Sequence, residues 1–262
     1  MSCRCVMALF ILLAASVQAA PLVLNPEQVE NDPGFAVRDI TVIEPHEQCG
    51  DRECLVTYRG IPLRTLLERY YPKEWPGFDG EIQLFALDGY LGVVEARKAR
   101  TKDAYLVFAR ADGKPFQIDN YRQNEHDVAL GPFYLVWDNR NDPALQKLGA
   151  YGWPYQVDRI QLVSDASYVR LIPPGASASV QAGFAAFRTY CLNCHNLQGV
   201  GGRKVETDMK RLVAGKSREE LRTWINDPGK VRPTTMPPLN TELDDKERAR
   251  VIEQIVDYLE VL

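Results

Sequence analysis

Cys191-Leu192-Asn193-Cys194-His195, preceded by Val180, Phe184 and Phe187, is the stretch on which the reading of this chain turns. The pattern C-x-x-C-H sets two thiols one helical turn apart, with an imidazole directly after. Two thiols at that separation can add to the two vinyl groups of a haem, and the adjacent imidazole then lies under the iron. A redox dithiol also uses C-x-x-C, but it sits at a strand-to-helix junction within a βαβ pattern. Here Val180, Phe184 and Phe187 share one helical face and helix signals surround the motif. The spacing predicts one covalent haem c, bound through Cys191 and Cys194, with His195 as an iron ligand.

Working outward, Ser217-x-x-Glu220 reads as a capping box for a helix carrying Leu221, Trp224 and Ile225, ended by Asp227-Pro228. Asp244-x-x-Glu247 caps a last helix with the stripe Val251, Ile252, Ile255, Val256 and Leu259. Long irregular stretches separate these helices, so a segment of about ninety residues has little core of its own. A haem fills that deficit. Upstream, Leu171 to Ser179 has the Pro/Gly/Ser character of a linker, with the boundary near Gly175.

Several features of this C-terminal segment resemble the class I cytochrome c family. Gly183-x-x-x-Phe187-x-x-x-Cys191 matches the family's N-terminal helix, and Ile255-x-x-Tyr258-Leu259 matches the last helix that crosses it. Gly199 to Gly202 stands where the family has a flexible glycine stretch, and Thr235-Met236-Pro237-Pro238 resembles the loop that delivers a methionine ligand. The resemblance implies Met236 as the second axial ligand, with Met209 the alternative, placed by its polar surroundings at the surface. A thioether suits that role, and six-coordinate iron favours electron transfer over oxygen chemistry. The family's proline that accepts a bond from the axial histidine is missing; Arg203-Lys204-Val205 occupies the region.

Between about residues 35 and 170 the pattern changes to short strands. Ile82 to Ala86 and Leu91 to Glu95 flank Asp88-Gly89 as a hairpin. Tyr105 to Phe108, Phe133 to Trp137 and Ile160 to Val163 read as buried strands, and Leu63, Leu66 and Leu67 as one face of a helix after Pro62. Tyr58 to Leu63, Asp88-Gly89-Tyr90, Asp112 to Pro115, Gly131 to Val136 and Val157 to Ile160 resemble the pterin-binding domain of sulfite oxidase-like molybdoenzymes. Many strands and few helices suggest an α+β domain with a mixed or antiparallel sheet, and the likeness implies a multidomain chain: that α+β mixed-sheet domain followed by an all-α cytochrome c domain. It also raises a molybdenum ligand at Cys49 or Cys54, although the usual Asn/Arg-rich surroundings are missing. A disulfide between these two cysteines is the favoured reading and molybdopterin stays open as the alternative. A metal site from His46, Cys49 and Cys54 ranks last, since it matches no common zinc spacing. His126 reads as a loop residue, and Trp75, Trp137 and Trp153 as packing residues.

Residues 1–20 carry one charge, Arg4, then an apolar run ending in Val17-Gln18-Ala19-Ala20, the pattern of a secretory signal peptide. The run is short for a membrane span, an uncleaved anchor being the competing reading. The expected organisation is a signal peptide at 1–20, a molybdopterin-binding-like domain at 21–172 and a cytochrome c domain at 173–262. A net charge of -4 without a basic run gives nucleic acid nothing to bind. The combined expectation is a periplasmic electron carrier, without stable membrane insertion after signal cleavage. It would work between a redox protein donor and a redox protein acceptor, and a molybdenum-dependent oxidoreductase with its own haem acceptor is the alternative.

Overall fold

The computed structural model describes residues 20–164 and 168–262. The expected signal peptide lies, save Ala20, outside the described residues. The N-terminal part runs β1 (Leu22–Val23), α1 (Pro26–Asn31), β2 (Arg38–Ile43), β3 (Leu55–Pro62), α2 (Leu63–Tyr70), β4 (Glu81–Ala86) and β5 (Leu91–Glu95). It continues with α3 (Ala96–Thr101), β6 (Ala104–Arg110), β7 (Gln117–Asn120), β8 (Glu125–Ala129), β9 (Tyr134–Trp137), α4 (Pro143–Lys147) and β10 (Val157–Val163). The strands form two four-stranded sheets, ordered β1-β10-β4-β5 and β2-β3-β6-β9, with β7 and β8 as a separate hairpin. Every pairing of these strands is antiparallel. The mixed sheet is thereby corrected to the antiparallel alternative, in which a tight turn such as that between β4 and β5 can join neighbouring strands directly.

The β4–β5 hairpin forms where the sequence places it, in the register Glu81↔Glu95 to Phe85↔Leu91. Gly89 turns the chain with φ +86°, a conformation glycine adopts freely. Ile82, Leu84 and Val94 point inward from this hairpin and meet Ile160 and Leu162 of β10. All four residues of β9 are buried. α2 buries Leu63, Leu66 and Leu67, each worth about 2 kcal/mol when fully removed from water. Trp75, Trp137 and Trp153 are all buried in this core.

After residue 168 the chain is helical: α5 (Ala178–Tyr190), α6 (Met209–Val213), α7 (Arg218–Asn226) and α8 (Asp245–Leu259), with two-residue strands β11 (Asn196–Leu197) and β12 (Val200–Gly201). Most of the buried hydrophobic residues fall into two clusters, one spanning Leu24 to Leu162 and the other Tyr168 to Leu259. Among the described residues no helix is long and apolar enough to cross a membrane.

Candidate haem attachment site

α5 is capped by Ser177, whose side chain accepts from the Val180 amide, and it buries Val180, Gly183, Phe184 and Phe187. Its partner α8 is capped by Asp244, which accepts from the Glu247 amide. The helices touch backbone to backbone at Gly183: a Cβ there would fall onto the Gln254 carbonyl. Phe184 then packs edge-on and Phe187 at a tilt against Tyr258, at 5.4 and 5.3 Å between ring centres. The Tyr258 hydroxyl donates to the Leu171 carbonyl at 2.8 Å, fixing the entry segment to the same crossing.

The crossing aims the end of α5. The Cys191 amide donates to Phe187 O at 2.8 Å and the His195 amide to Cys191 O at 3.0 Å, so helical bonding runs through the motif. Both cysteines are free thiols. Burial pushes the Cys191 thiol up to about 12 and the Cys194 thiol up to about 11. Burial also lowers His195 to about 4, so its imidazole is neutral at physiological pH. Its Nδ1 is buried without a hydrogen-bond partner. The replacement for the missing proline is visible in part: the Val205 amide donates to Cys194 O at 3.0 Å, and Asn196 Nδ2 donates to the Val205 and Glu206 carbonyls. These bonds hold the motif's backbone, and none reaches the imidazole.

Asn193, between the two cysteines, binds the N-terminal sheet. The Leu91 amide donates to Asn193 O at 2.8 Å and Asn193 Nδ2 donates to Leu91 O at 2.7 Å. Beside it the Arg203 amide donates to Gly89 O at 2.6 Å, and Lys204 pairs with Asp88 at 2.8 Å. The sequence shows Asp88-Gly89 only as a hairpin turn; its role as the seat of the attachment peptide carries no local signal.

Met236 is half-buried in the loop between α7 and α8, its amide donating to Thr234 Oγ1 at 3.1 Å. Downstream the loop is tied back by the Leu239 amide to Ile225 O at 2.9 Å and by Arg248 Nε to Leu239 O at 2.8 Å. Met209, expected at the surface, is 7% exposed and opens α6 within the second cluster. The polar residues around it face outward while its own side chain faces in, as helical periodicity allows.

In the N-terminal domain Cys49 and Cys54 form a disulfide. The Glu47 carboxylate lies within 4.8 Å of their sulfurs, but with both sulfurs bonded to each other no thiolate remains for a metal. His46 is not grouped with them. It belongs to a buried cluster in which Glu44 accepts from Tyr58 at 2.7 Å, Tyr134 at 3.0 Å and the His46 ring at 2.8 Å. Glu44 has no sequence signal of its own. His126 lies in β8 with its side chain exposed, 3.5 Å from Asp119.

Two free thiols one turn apart, a neutral imidazole beside them and an orphaned ring nitrogen fit a covalently attached haem. Comparison with known families agrees: residues 178–258 match the family model described as cytochrome c oxidase, cbb3-type, subunit III. This segment is therefore a cytochrome c domain, and the chain carries the haem-binding equipment of an electron-transfer protein. No curated protein matches the chain.

Proposed function

We propose that the chain is an exported mono-haem electron carrier. It takes single electrons from a periplasmic oxidoreductase and passes them to a respiratory acceptor. The observation that carries this reading is the pair of free thiols Cys191 and Cys194 beside the neutral, half-buried His195, whose Nδ1 is shielded from solvent. Cys191 and Cys194 bind the haem covalently, His195 provides one iron ligand and Met236 the other. The bound haem supplies a one-electron Fe(II)/Fe(III) couple, and a thioether ligand raises its potential. Residues 21–172 form a sulfite oxidase-like scaffold without cofactor and residues 173–262 the haem domain. Encounters with donor and acceptor are brief and steered by surface charge.

A molybdoenzyme that reduces its own haem is the competing reading. It needs a cysteine thiolate, and among the described residues every cysteine outside the haem motif is in the disulfide. Metal analysis of the purified protein tests this directly: one iron per chain without molybdenum is expected, and stoichiometric molybdenum would overturn the carrier reading. Met236→Ala is expected to abolish the methionine-to-iron charge-transfer band. An unchanged band in that variant would refute the ligand assignment.

A further inference from the structure

The N-terminal domain touches both segments assigned to the iron. On one side the hairpin tip seats the attachment turn through the two Leu91–Asn193 bonds and the Gly89–Arg203 bond. The fit is close, for a Cβ on Gly89 would come within 2.7 Å of the Arg203 backbone. On the other side Arg122 and Lys147, at the end of α4, reach the loop that follows Met236. Arg122 Nη1 donates to Thr241 Oγ1 at 2.5 Å, and its other terminal nitrogen pairs with Glu242. The guanidinium is itself anchored at home, through Nε to Pro45 O at 3.3 Å. Asn240, 1% exposed, donates through Nδ2 to Lys147 O at 3.0 Å and accepts from the Glu242 amide at 3.1 Å. Lys147 also pairs with Glu247 at 2.7 Å, at the start of α8.

A methionine on an irregular loop loses conformational freedom when it binds iron, and that loss opposes the bond. Restraints already present before ligation reduce it. Within the helical domain the loop is tied at Leu239 and Arg248, and the contacts at Asn240, Thr241 and Glu242 fix its downstream end to the N-terminal domain as well. We propose that the N-terminal domain is a two-point clamp on the haem ligands. It holds the attachment turn with Leu91 and Gly89 and the methionine loop with Arg122 and Lys147, so that the strength of the Met236–iron bond is set across the domain seam. Arg122 and Asn240 are positioning residues, acting through the loop. The inference rests on Met236 being the ligand.

The test uses the full-length holoprotein and added imidazole, which competes for the methionine position. The readout is the imidazole concentration that halves the methionine-to-iron charge-transfer band, with far-UV circular dichroism melting recorded alongside. Arg122→Glu removes two side-chain bonds to the loop and places like charge against Glu242. The halving concentration is expected to fall roughly tenfold, the equivalent of about 1.4 kcal/mol. Combining it with Glu242→Arg restores the pair and should return the value to within about threefold of the parent. Glu242→Gln, at the exposed end of the pair, gives a smaller shift in the same direction and serves if Arg122→Glu does not fold. Halving concentrations unchanged in a folded Arg122→Glu, or in Glu242→Gln where that stands in, would overturn the clamp. Failure of the ligand assignment looks different: the band then survives Met236→Ala or is missing from the parent.

Discussion

Replacing Glu44 by glutamine tests the most heavily bonded buried carboxylate in the N-terminal domain. Glu44 is 2% exposed and lies just beyond β2. Its oxygens accept from Tyr58 at 2.7 Å, Tyr134 at 3.0 Å, the His46 amide at 3.1 Å and His46 Nδ1 at 2.8 Å. Burial pushes this carboxyl up, but the bonds from His46 and Tyr58 and the charge of His46 outweigh it, leaving it below its usual 4.5. An ionised carboxylate only accepts, so His46 Nδ1 carries the proton in their bond. Burial, together with the same carboxylate, holds Tyr134 protonated far into the alkaline range. Glutamine matches the shape but turns one acceptor into a donor that faces tyrosine hydroxyls. All four bonds lose their charge assistance and one acceptor becomes a donor, a cost of about 2–4 kcal/mol. Urea unfolding followed by circular dichroism measures the loss, and hydrogen exchange in β3 and β9 localises it. Because the folded-state value is depressed, the stabilisation is complete above the unfolded carboxylate value and disappears as pH falls through the folded one. The gap between parent and Glu44→Gln should therefore narrow below pH 4.5. A gap under about 0.5 kcal/mol at neutral pH, or one that widens with acid, would refute this account.

At the α5–α8 crossing, Gly183→Val is expected to cost about 3 kcal/mol or more, because the added atoms meet the Gln254 backbone rather than a side chain that can move. The measurement is the melting temperature of the haem-loaded protein together with its yield; an unaltered melt would mean that the helices do not meet there. Converting both Cys49 and Cys54 to serine should lower stability by about 2 kcal/mol, the value for so short a loop. Iron content should stay the same, and its loss would contradict the assignment of haem attachment to Cys191 and Cys194.

Much of the helical half was legible because its signals are local. A capping box, an acidic N-cap and an apolar stripe each act within a turn or two, and Ser217, Asp244 and the Val251-to-Leu259 stripe do what the sequence indicates. The β4–β5 hairpin was legible for the same reason, since its turn and its alternation lie side by side. The order of the two sheets was not, because pairing partners such as β4 and β10 are joined by long stretches of chain. Met209 was misplaced by the polarity of its neighbours, which says little about where one side chain on a helix points.

The sequence by itself determined the chemistry of the haem: two thiols one turn apart and an imidazole after them are a local arrangement that any helical backbone reproduces. It also supplied a methionine at a plausible remove and left its setting open. Only the tertiary structure decided what surrounds these groups. Asn193 meets Leu91 across 102 residues, Arg122 meets Glu242 across 120, and Glu44 finds Tyr134 across 90. Such contacts depend on how whole sheets and helices pack, and no short window of sequence encodes that geometry.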